Sequence, residues 1–193
     1  RAADLTIAEE GKPPAVIVTN GHTEPARILK TYLGKMTGAD FRLVEGDPDG
    51  GRVSIALRVV KKVRGASDRP TARQAYRLHT EENQLVVTSG SAPGLEYAVY
   101  GLLEDHLGCR FYSFRARGAT DDAPGVEVIP KKPTLDLAGI DEVEEPAFRI
   151  RGFIYYPPSK KWVRKNRGGG LPAYPLSSGH NFYKWIPPKK YFE

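Results

Sequence analysis

Two arginines early in the last quarter of the chain have the type of side chain that binds sugars or anions in proteins. Arg149 and Arg151 are two residues apart in a run, 148–156, whose pattern predicts a strand, so both should point to the same face. A pair of guanidinium groups beside aromatic residues suits a polyhydroxylated or anionic ligand. Ordinary ion pairs with the acidic residues just before them are the alternative.

Trp162 and His180 are two further candidates. Trp162 lies in the basic run 160–165, and interleaved basic and aromatic residues are typical of segments that neutralise phosphates and stack bases. No known recognition motif frames this run, so the simpler interpretation is the solvated or substrate-facing rim of a larger domain, with no nucleic-acid partner. His180 lies in the stretch 177–183, where a lone histidine is more often structural than catalytic.

Residue types for other chemistries are missing or unsuitably spaced. The one cysteine and four scattered histidines form no metal-binding motif, and no Gly-x-Ser-x-Gly motif is present. The glycine run 166–170 lacks the Lys-Ser/Thr of a phosphate-binding loop and predicts a flexible loop. The adjacent acids in 141–145 predict a solvated linker, because sequence neighbours point to opposite sides. We therefore predict no catalytic residue, metal or cofactor in this chain.

The net charge of +6 comes from one segment. Residues 146–193 hold ten Lys/Arg, one acid and 11 of the 19 aromatic residues, whereas the residues before them have a net charge of −3. The two compositions meet at an acidic stretch, 141–146, which predicts a hinge. Aromatic residues on a segment with little regular structure need a partner surface, and we expect that partner to lie beyond Glu193.

Length and composition indicate a globular protein. The chain has 193 residues, of which 40% are hydrophobic and 27% charged, and a mean hydropathy of −0.45. No apolar run approaches the roughly 20 residues of a membrane span, which predicts no membrane partner. Because the chain starts at Arg1 without a methionine, we expect a processed or trimmed piece of a longer protein.

Hydrophobic periodicity predicts an α/β fold of the α+β kind, with one mixed sheet and two helices on one of its faces. Strands are predicted at 15–19, 41–44, 53–60, 75–79, 84–88 and 109–114, with a further candidate at 126–129. One helix is predicted from a cap at Thr23 to Gly38, and the other from Pro93 to Gly108.

The hairpin and the second helix resemble the accessory domain that precedes the catalytic barrel in family 20 β-hexosaminidases and α-glucuronidases. The residues that carry the resemblance are Ala75-Tyr-Arg-Leu-His79, Leu85-Val-Val-Thr88 and Gly94-Leu-Glu-Tyr-Ala-Val-Tyr-Gly-Leu-Leu103. That family enters its barrel through a segment like Pro-Arg-Phe-x-x-Arg-Gly. This chain has Pro146-Ala-Phe-Arg-Ile-Arg-Gly152, with Ala147 in place of the first arginine.

The last residues are similar to the start of the bacterial DUF4838 family, through Asn166-Arg-Gly-Gly-Gly170, Gly179-His-Asn-Phe-Tyr-Lys184 and Pro187-Pro-Lys-Lys-Tyr-Phe192. Members of that family are large, mostly exported proteins with a hexosaminidase-like N-terminal domain and a predicted glycosidase-type barrel. The resemblance to the hexosaminidases implies that Arg151 ends the first barrel strand and grips a sugar. It also implies that His180 lies in a loop over the barrel mouth and that aromatic residues such as Trp162 stack on sugar faces. The catalytic carboxylates would come from later barrel strands.

The predicted organisation is therefore an accessory domain, residues 1–140, followed by a linker and the truncated start of a (β/α) barrel, residues 141–193. The chain itself would not be catalytic. Its parent would be a glycoside hydrolase-like bacterial protein, secreted or periplasmic, which binds carbohydrate through the downstream barrel. The accessory domain would contact that missing C-terminal domain. A stand-alone carbohydrate-binding module and a nucleic-acid-binding domain are the alternative functions.

Overall fold

A computed structural model describes residues 4–47, 51–112, 126–148, 150–151 and 160–169. The strands are β1 Leu5–Ala8, β2 Val16–Thr19, β3 Leu43–Glu45, β4 Ser54–Val59, β5 Tyr76–Glu81, β6 Gln84–Ser89, β7 Arg110–Phe111, β8 Glu127–Val128, β9 Leu135–Leu137 and β10 Asp141–Glu144. The helices are α1 Thr23–Thr37, α2 Ala92–Gly101 and α3 Lys160–Lys165. A 3-10 turn, Pro70–Gln74, precedes β5, and a π-helical turn, Leu102–His106, continues α2.

Six of the strands form one mixed sheet in the order β10-β5-β6-β4-β2-β3. The strands β3, β2, β4 and β6 run parallel to one another, whereas β5 pairs antiparallel with β6 and β10 pairs antiparallel with β5. Two antiparallel pairs, β1 with β9 and β7 with β8, lie outside this sheet. The predicted mixed α+β architecture is confirmed.

Both long helices cover the same face of the sheet, as predicted. Alternate strand residues such as Ile17, Leu57 and Val87 belong to one buried cluster with apolar residues of α1 and α2. On the opposite face, Val16 and Val18 belong to a separate, smaller cluster. The alternation of the strands therefore separates a helix-covered core from a second face of mostly polar residues.

The helix ends differ slightly from prediction. Thr23 is the first residue of α1 rather than its cap, because His22 occupies the cap position and makes no side-chain capping bond. Gly38 ends α1 as predicted, with a φ of 79°. At α2 the cap is Ser91, whose side chain accepts a hydrogen bond from the Gly94 N–H at 3.2 Å.

The prediction of an acidic linker is wrong for Asp141–Glu144, which form the edge strand β10. This strand pairs with β5, and the Asp141 carboxylate accepts hydrogen bonds from Arg77, with a shortest distance of 2.7 Å. Glu142 lies 3.2 Å from His106 Nε2. Basic side chains far away in sequence thus hold the acids in a strand, and the charges protect this sheet edge from pairing with other chains.

The structure also revises two predicted strands. The strand at 109–114 is shorter, because β7 covers only Arg110–Phe111 and residues 113–125 lie outside the described part. The strand at 148–156 is not formed at Phe148 or Ile150, and Arg151 makes only an isolated bridge with Gly169. Residues 152–156 lie outside the described residues.

The cap of α2 gives a test of the fold. Ser91→Ala should lower the free energy of unfolding by about 1 kcal/mol, because the Gly94 N–H at the helix start loses its acceptor. Ser91→Asp should keep the stability, since its carboxylate also accepts from a first-turn N–H and lies at the positive end of the helix. Urea unfolding measures both variants. Equal losses in both would show that the cap hydrogen bond is not the stabilising contact.

Candidate functional site

The basic segment, residues 160–169, lies against the sheet domain and begins with α3. The helix ends at Lys165, and Arg167, two residues further on, has a left-handed φ of +55°. The Arg167 N–H donates to Arg164 O and the Gly168 N–H donates to Val163 O, which is the hydrogen-bond pattern of a Schellman motif. The Gly169 N–H donates to Arg151 O. These donors are therefore occupied, so residues 166–169 form a helix ending rather than a flexible loop or an anion cradle.

A buried ion pair attaches this segment to the domain. The Lys165 side chain is only 2% exposed, and its Nζ donates to Glu127 Oε1 on β8. The same carboxylate oxygen accepts a hydrogen bond of 2.7 Å from Tyr32 Oη on α1. Because an ammonium group out of water costs several kcal/mol unless it is paired, α3 must keep the position that brings Lys165 to Glu127.

Opposing effects act on the pKa of Glu127. Burial alone raises it, but the hydrogen bonds donated by Lys165 and Tyr32, together with the charges of Lys165 and Lys35, lower it more. The net pKa of Glu127 therefore lies below its ordinary value. The carboxylate stays ionised at neutral pH and pairs with the ammonium group.

Three aromatic rings pack together next to this ion pair. Tyr32, Tyr100 and Phe111 meet edge to face, with ring centroids 5.4 to 6.3 Å apart. They join α1, α2 and β7. The cluster is apolar except for its tyrosine hydroxyls, and the hydroxyl of Tyr32 donates to Glu127. The same carboxylate oxygen therefore bonds to the aromatic cluster and to Lys165.

Arg167 makes a second contact between the basic segment and the domain, by binding two acids of the π-helical turn. Its Nη1 donates to Asp105 Oδ2 at 2.6 Å and its Nη2 to Glu104 Oε2 at 3.1 Å. The π turn presents these two consecutive acids to one guanidinium group, and such turns are frequent at functional positions. Arg164 adds a longer contact, 3.6 Å, to Glu96 on α2.

Trp162 is a third anchor. Its indole Nε1 donates to Phe111 O at 3.2 Å, and Asn166 Nδ2 donates to the same carbonyl at 3.3 Å. The indole N–H, one of the groups considered for ligand binding, therefore bonds to the backbone of β7.

Arg151 connects the same segment to the sheet domain through three hydrogen bonds. Its Nη2 donates to Gln74 Oε1 at 2.8 Å, its Nε to Arg167 O at 2.9 Å and its Nη1 to Phe148 O at 2.7 Å. The guanidinium also lies 5.3 Å from the centre of the Tyr97 ring. Arg151 therefore spans the junction between the two parts.

Beside Arg151 is a cavity of about 510 Å³, here called the junction cleft. It lies where the 3-10 turn, β5, α2, β10 and the basic segment meet. The residues that line it are Gln74, Tyr76, Tyr97, Asp105, Glu144, Glu145, Pro146, Arg151, Asn166 and Arg167. Its walls mix hydrogen-bond donors and acceptors with two tyrosines, the kind of lining found in sites for small polar molecules.

Of the predicted site residues, the structure brings Arg151 to the cleft and Trp162 to β7, away from the cleft lining, whereas Arg149 and His180 lie outside the described residues. Their predicted contacts with substrate stay predictions. Sequence reasoning missed Gln74, Tyr76 and Tyr97, because they lie on elements that look purely structural. The charge difference between the two halves of the chain was a usable signal for the ion pairs, since it makes the acidic part a partner for the basic segment.

The described residues contain no group of three or more histidine, cysteine, aspartate or glutamate side chains placed to hold a metal ion. Among these same residues, no helix is long and apolar enough to cross a membrane.

Comparison with known proteins gives matches only among solved structures, since no family model and no curated protein matches the chain. It is similar to the GH20 exo-β-N-acetylglucosaminidase of Vibrio harveyi in complex with N-acetylglucosamine, with 15% identity and a TM-score of 0.44 over 78% of this chain and 18% of that one. The β-N-acetylhexosaminidase of Streptomyces coelicolor A3(2) is 20% identical, with a TM-score of 0.41 over 75% of this chain and 24% of that one. The N-acetyl-β-hexosaminidase of Streptomyces plicatus is 19% identical, with a TM-score of 0.43 over 78% of this chain and 25% of that one. The chain spans a quarter or less of each of these proteins.

The buried ion pair can be tested by a double-mutant cycle. Glu127→Gln and Lys165→Met should each lower the free energy of unfolding by about 3 kcal/mol, because each leaves a buried group without its partner. The double variant should lose clearly less than the sum, since no unpaired charge remains. Urea unfolding measures all three, with Lys12→Met as the control for loss of an exposed lysine. Additive losses would contradict a direct pairing.

The lowered pKa of Glu127 predicts how stability depends on pH. A carboxyl group whose pKa is lower in the folded state stabilises that state fully above its ordinary value, 4.5, and loses this contribution as the pH falls through the lowered pKa. The stability difference between the wild type and Glu127→Gln should therefore be constant from about pH 6 to 7 and shrink on acidification below about pH 4.5. Unfolding by urea across this range measures it, and a constant difference would exclude the linkage.

Proposed function

We propose that the sheet domain is a non-catalytic accessory domain that holds and stabilises the first part of a (β/α) barrel in a carbohydrate-active protein. The observation that carries the proposal is the docking of the basic segment. A buried lysine, a two-acid contact for Arg167 and a bonded indole fix a short helix on the domain surface. An accessory domain that supports the next domain of the chain needs such built contacts.

The carbohydrate part of the proposal comes from the sequence resemblance to the accessory domains of family 20 β-hexosaminidases and α-glucuronidases. The same resemblance supports a sugar-binding role for Arg151, and the resemblance of the last residues to the DUF4838 family supports an exported bacterial parent. The position of Arg151 supports one element of this picture, because it lies at the junction between the domain and the segment that would enter the barrel. His180 and Arg149 remain proposed contacts of that barrel.

Nucleic-acid binding is disfavoured by the pairing of the described basic residues. Arg164, Lys165 and Arg167 already contact acids of the same chain. Phosphate-binding residues instead release counterions on contact with nucleic acid, which requires charges that no protein acid has neutralised. The positive charge of this segment is better explained as half of an intramolecular interface.

Enzyme assays with and without the residues beyond Glu193 test the proposal. Hydrolysis of a panel of nitrophenyl glycosides would be measured for this chain and for a protein extended along its reading frame past Glu193. We expect the chain to cleave none of them and the extended protein to cleave at least one, because the catalytic carboxylates would lie in later barrel strands. A reading frame that stops near Glu193, or hydrolysis by the chain itself, would contradict the proposal.

The supporting role has its own readout in the extended protein. Lys165→Met should lower the temperature at which glycosidase activity is lost by about 5 °C or more, while the kcat at 25 °C stays near that of the wild type. Lys12→Met is the matched control and should change neither. A large fall in kcat without a change in thermal inactivation would show that the docked helix serves chemistry rather than support.

A further inference from the structure

The junction cleft has hydrogen-bonding groups that the described part of the chain does not use. Gln74 uses its Oε1 to bind Arg151, which leaves its Nε2 as a donor. Asn166 uses its Nδ2 to bind Phe111 O and Trp162 O, which leaves its Oδ1 as an acceptor. The Glu144 carboxylate lines the cleft and makes no hydrogen bond or ion pair with the described residues. One unused donor and two unused acceptors therefore line the same cavity.

The charges of the cleft favour some ligands over others. Three carboxylates, those of Asp105, Glu144 and Glu145, face two guanidinium groups. Arg167 already contacts Asp105 and a further acid outside the cleft, Glu104, and Glu145 accepts bonds from the neutral side chains of Ser67 and Thr71. The charge of Arg167 is thus neutralised, whereas Arg151 donates only to neutral oxygens and no described residue neutralises Glu144. The three carboxylates still outnumber the two guanidinium groups by one negative charge. An anionic ligand would meet a site with a negative excess.

Both tyrosines contribute neutral hydroxyl groups at physiological pH. Burial raises the pKa of Tyr76 to about 12 despite the nearby charge of Arg167. Burial likewise raises the pKa of Tyr97, and its hydroxyl donates to Gly168 O at 3.1 Å. The volume, about 510 Å³, lies within the roughly 300–1,000 Å³ of sites for small molecules.

We propose that the junction cleft binds a sugar ring that carries no negative charge. Each hydroxyl group of a sugar both donates and accepts hydrogen bonds, so sugar hydroxyls can accept from Gln74 Nε2 and donate to Asn166 Oδ1 and the Glu144 carboxylate. Glu144 supplies an acceptor for which no donor among the described residues competes. The ligand would contact the sheet domain and the basic segment at the same time, and its binding would therefore stabilise the docked position of that segment.

This binding site goes beyond the proposed supporting role and stands or falls separately. The glycosidase assays and the Lys165→Met inactivation test say nothing about the cleft. A domain that docks the helix without binding sugar would support the first proposal and overturn this one.

Three monosaccharides with one ring skeleton and different charges are the probes: glucose, glucosamine and glucuronate. Binding to the 193-residue chain would be measured by NMR titration of the backbone amides. We expect saturable, weak binding of glucose and at least equal binding of glucosamine, with shifts confined to amides near residues 74–76, 144–146 and 166–168. Glucuronate should bind about tenfold more weakly, a difference of about 1.4 kcal/mol.

Glu144→Gln removes a carboxylate charge at an exposed edge strand and should leave the fold intact. It should weaken glucosamine binding about tenfold or more, whereas Glu81→Gln, the same change on β5 outside the cleft, should leave it as in the wild type. The proposal is overturned if none of the three sugars gives saturable shifts or if the shifts map elsewhere. It is also overturned if glucuronate binds best, or if the two variants behave alike.

Discussion

The ion pair between Lys165 and Glu127 is the contact on which the arrangement of the C-terminal segment depends. An ammonium group that is 2% exposed is tolerated only when a carboxylate meets it with good geometry. That carboxylate is already fixed by Tyr32, whose ring packs in the aromatic cluster between the two long helices. The core of the sheet domain thus determines where α3 lies, and a shift of α3 would leave a buried charge unpaired.

The position of α3 also determines the contacts at its C-terminal end. Arg167 contacts its two acids from a left-handed backbone conformation just after the helix. Gly168 packs so closely that a Cβ there would come within 2.9 Å of backbone oxygens of Val163 and Arg151. This close approach lets Arg151 bond to Arg167 O and to Gln74 at the same time. The junction cleft is the space enclosed by these contacts.

The positive charge of residues 160–169 has a structural explanation in this arrangement. The basic segment and the acidic surfaces of α2, the π turn and β8 are the two halves of one intramolecular interface. Such a segment would expose unpaired charge and aromatic surface if the domain were removed. An accessory domain that stabilises its neighbour therefore accounts for the composition. A cleft at the same interface is a suitable place for a ligand that contacts both parts.

Local patterns in the sequence determined most of the sheet domain. The alternation in 53–60 and 84–88, the 3,4 spacing after Thr23 and the glycine at 38 report interactions within a few residues, so they predict β4, β6 and α1 correctly. The sequence also marked Arg151 by its side-chain type. Only the tertiary structure decided that Asp141–Glu144 form a strand, because their partner Arg77 lies 64 residues from Asp141. Likewise, only the tertiary structure placed Arg151 against Gln74, which lies 77 residues away. A guanidinium group donates hydrogen bonds equally well to a sugar hydroxyl and to an amide oxygen, so the residue type alone does not identify its partner.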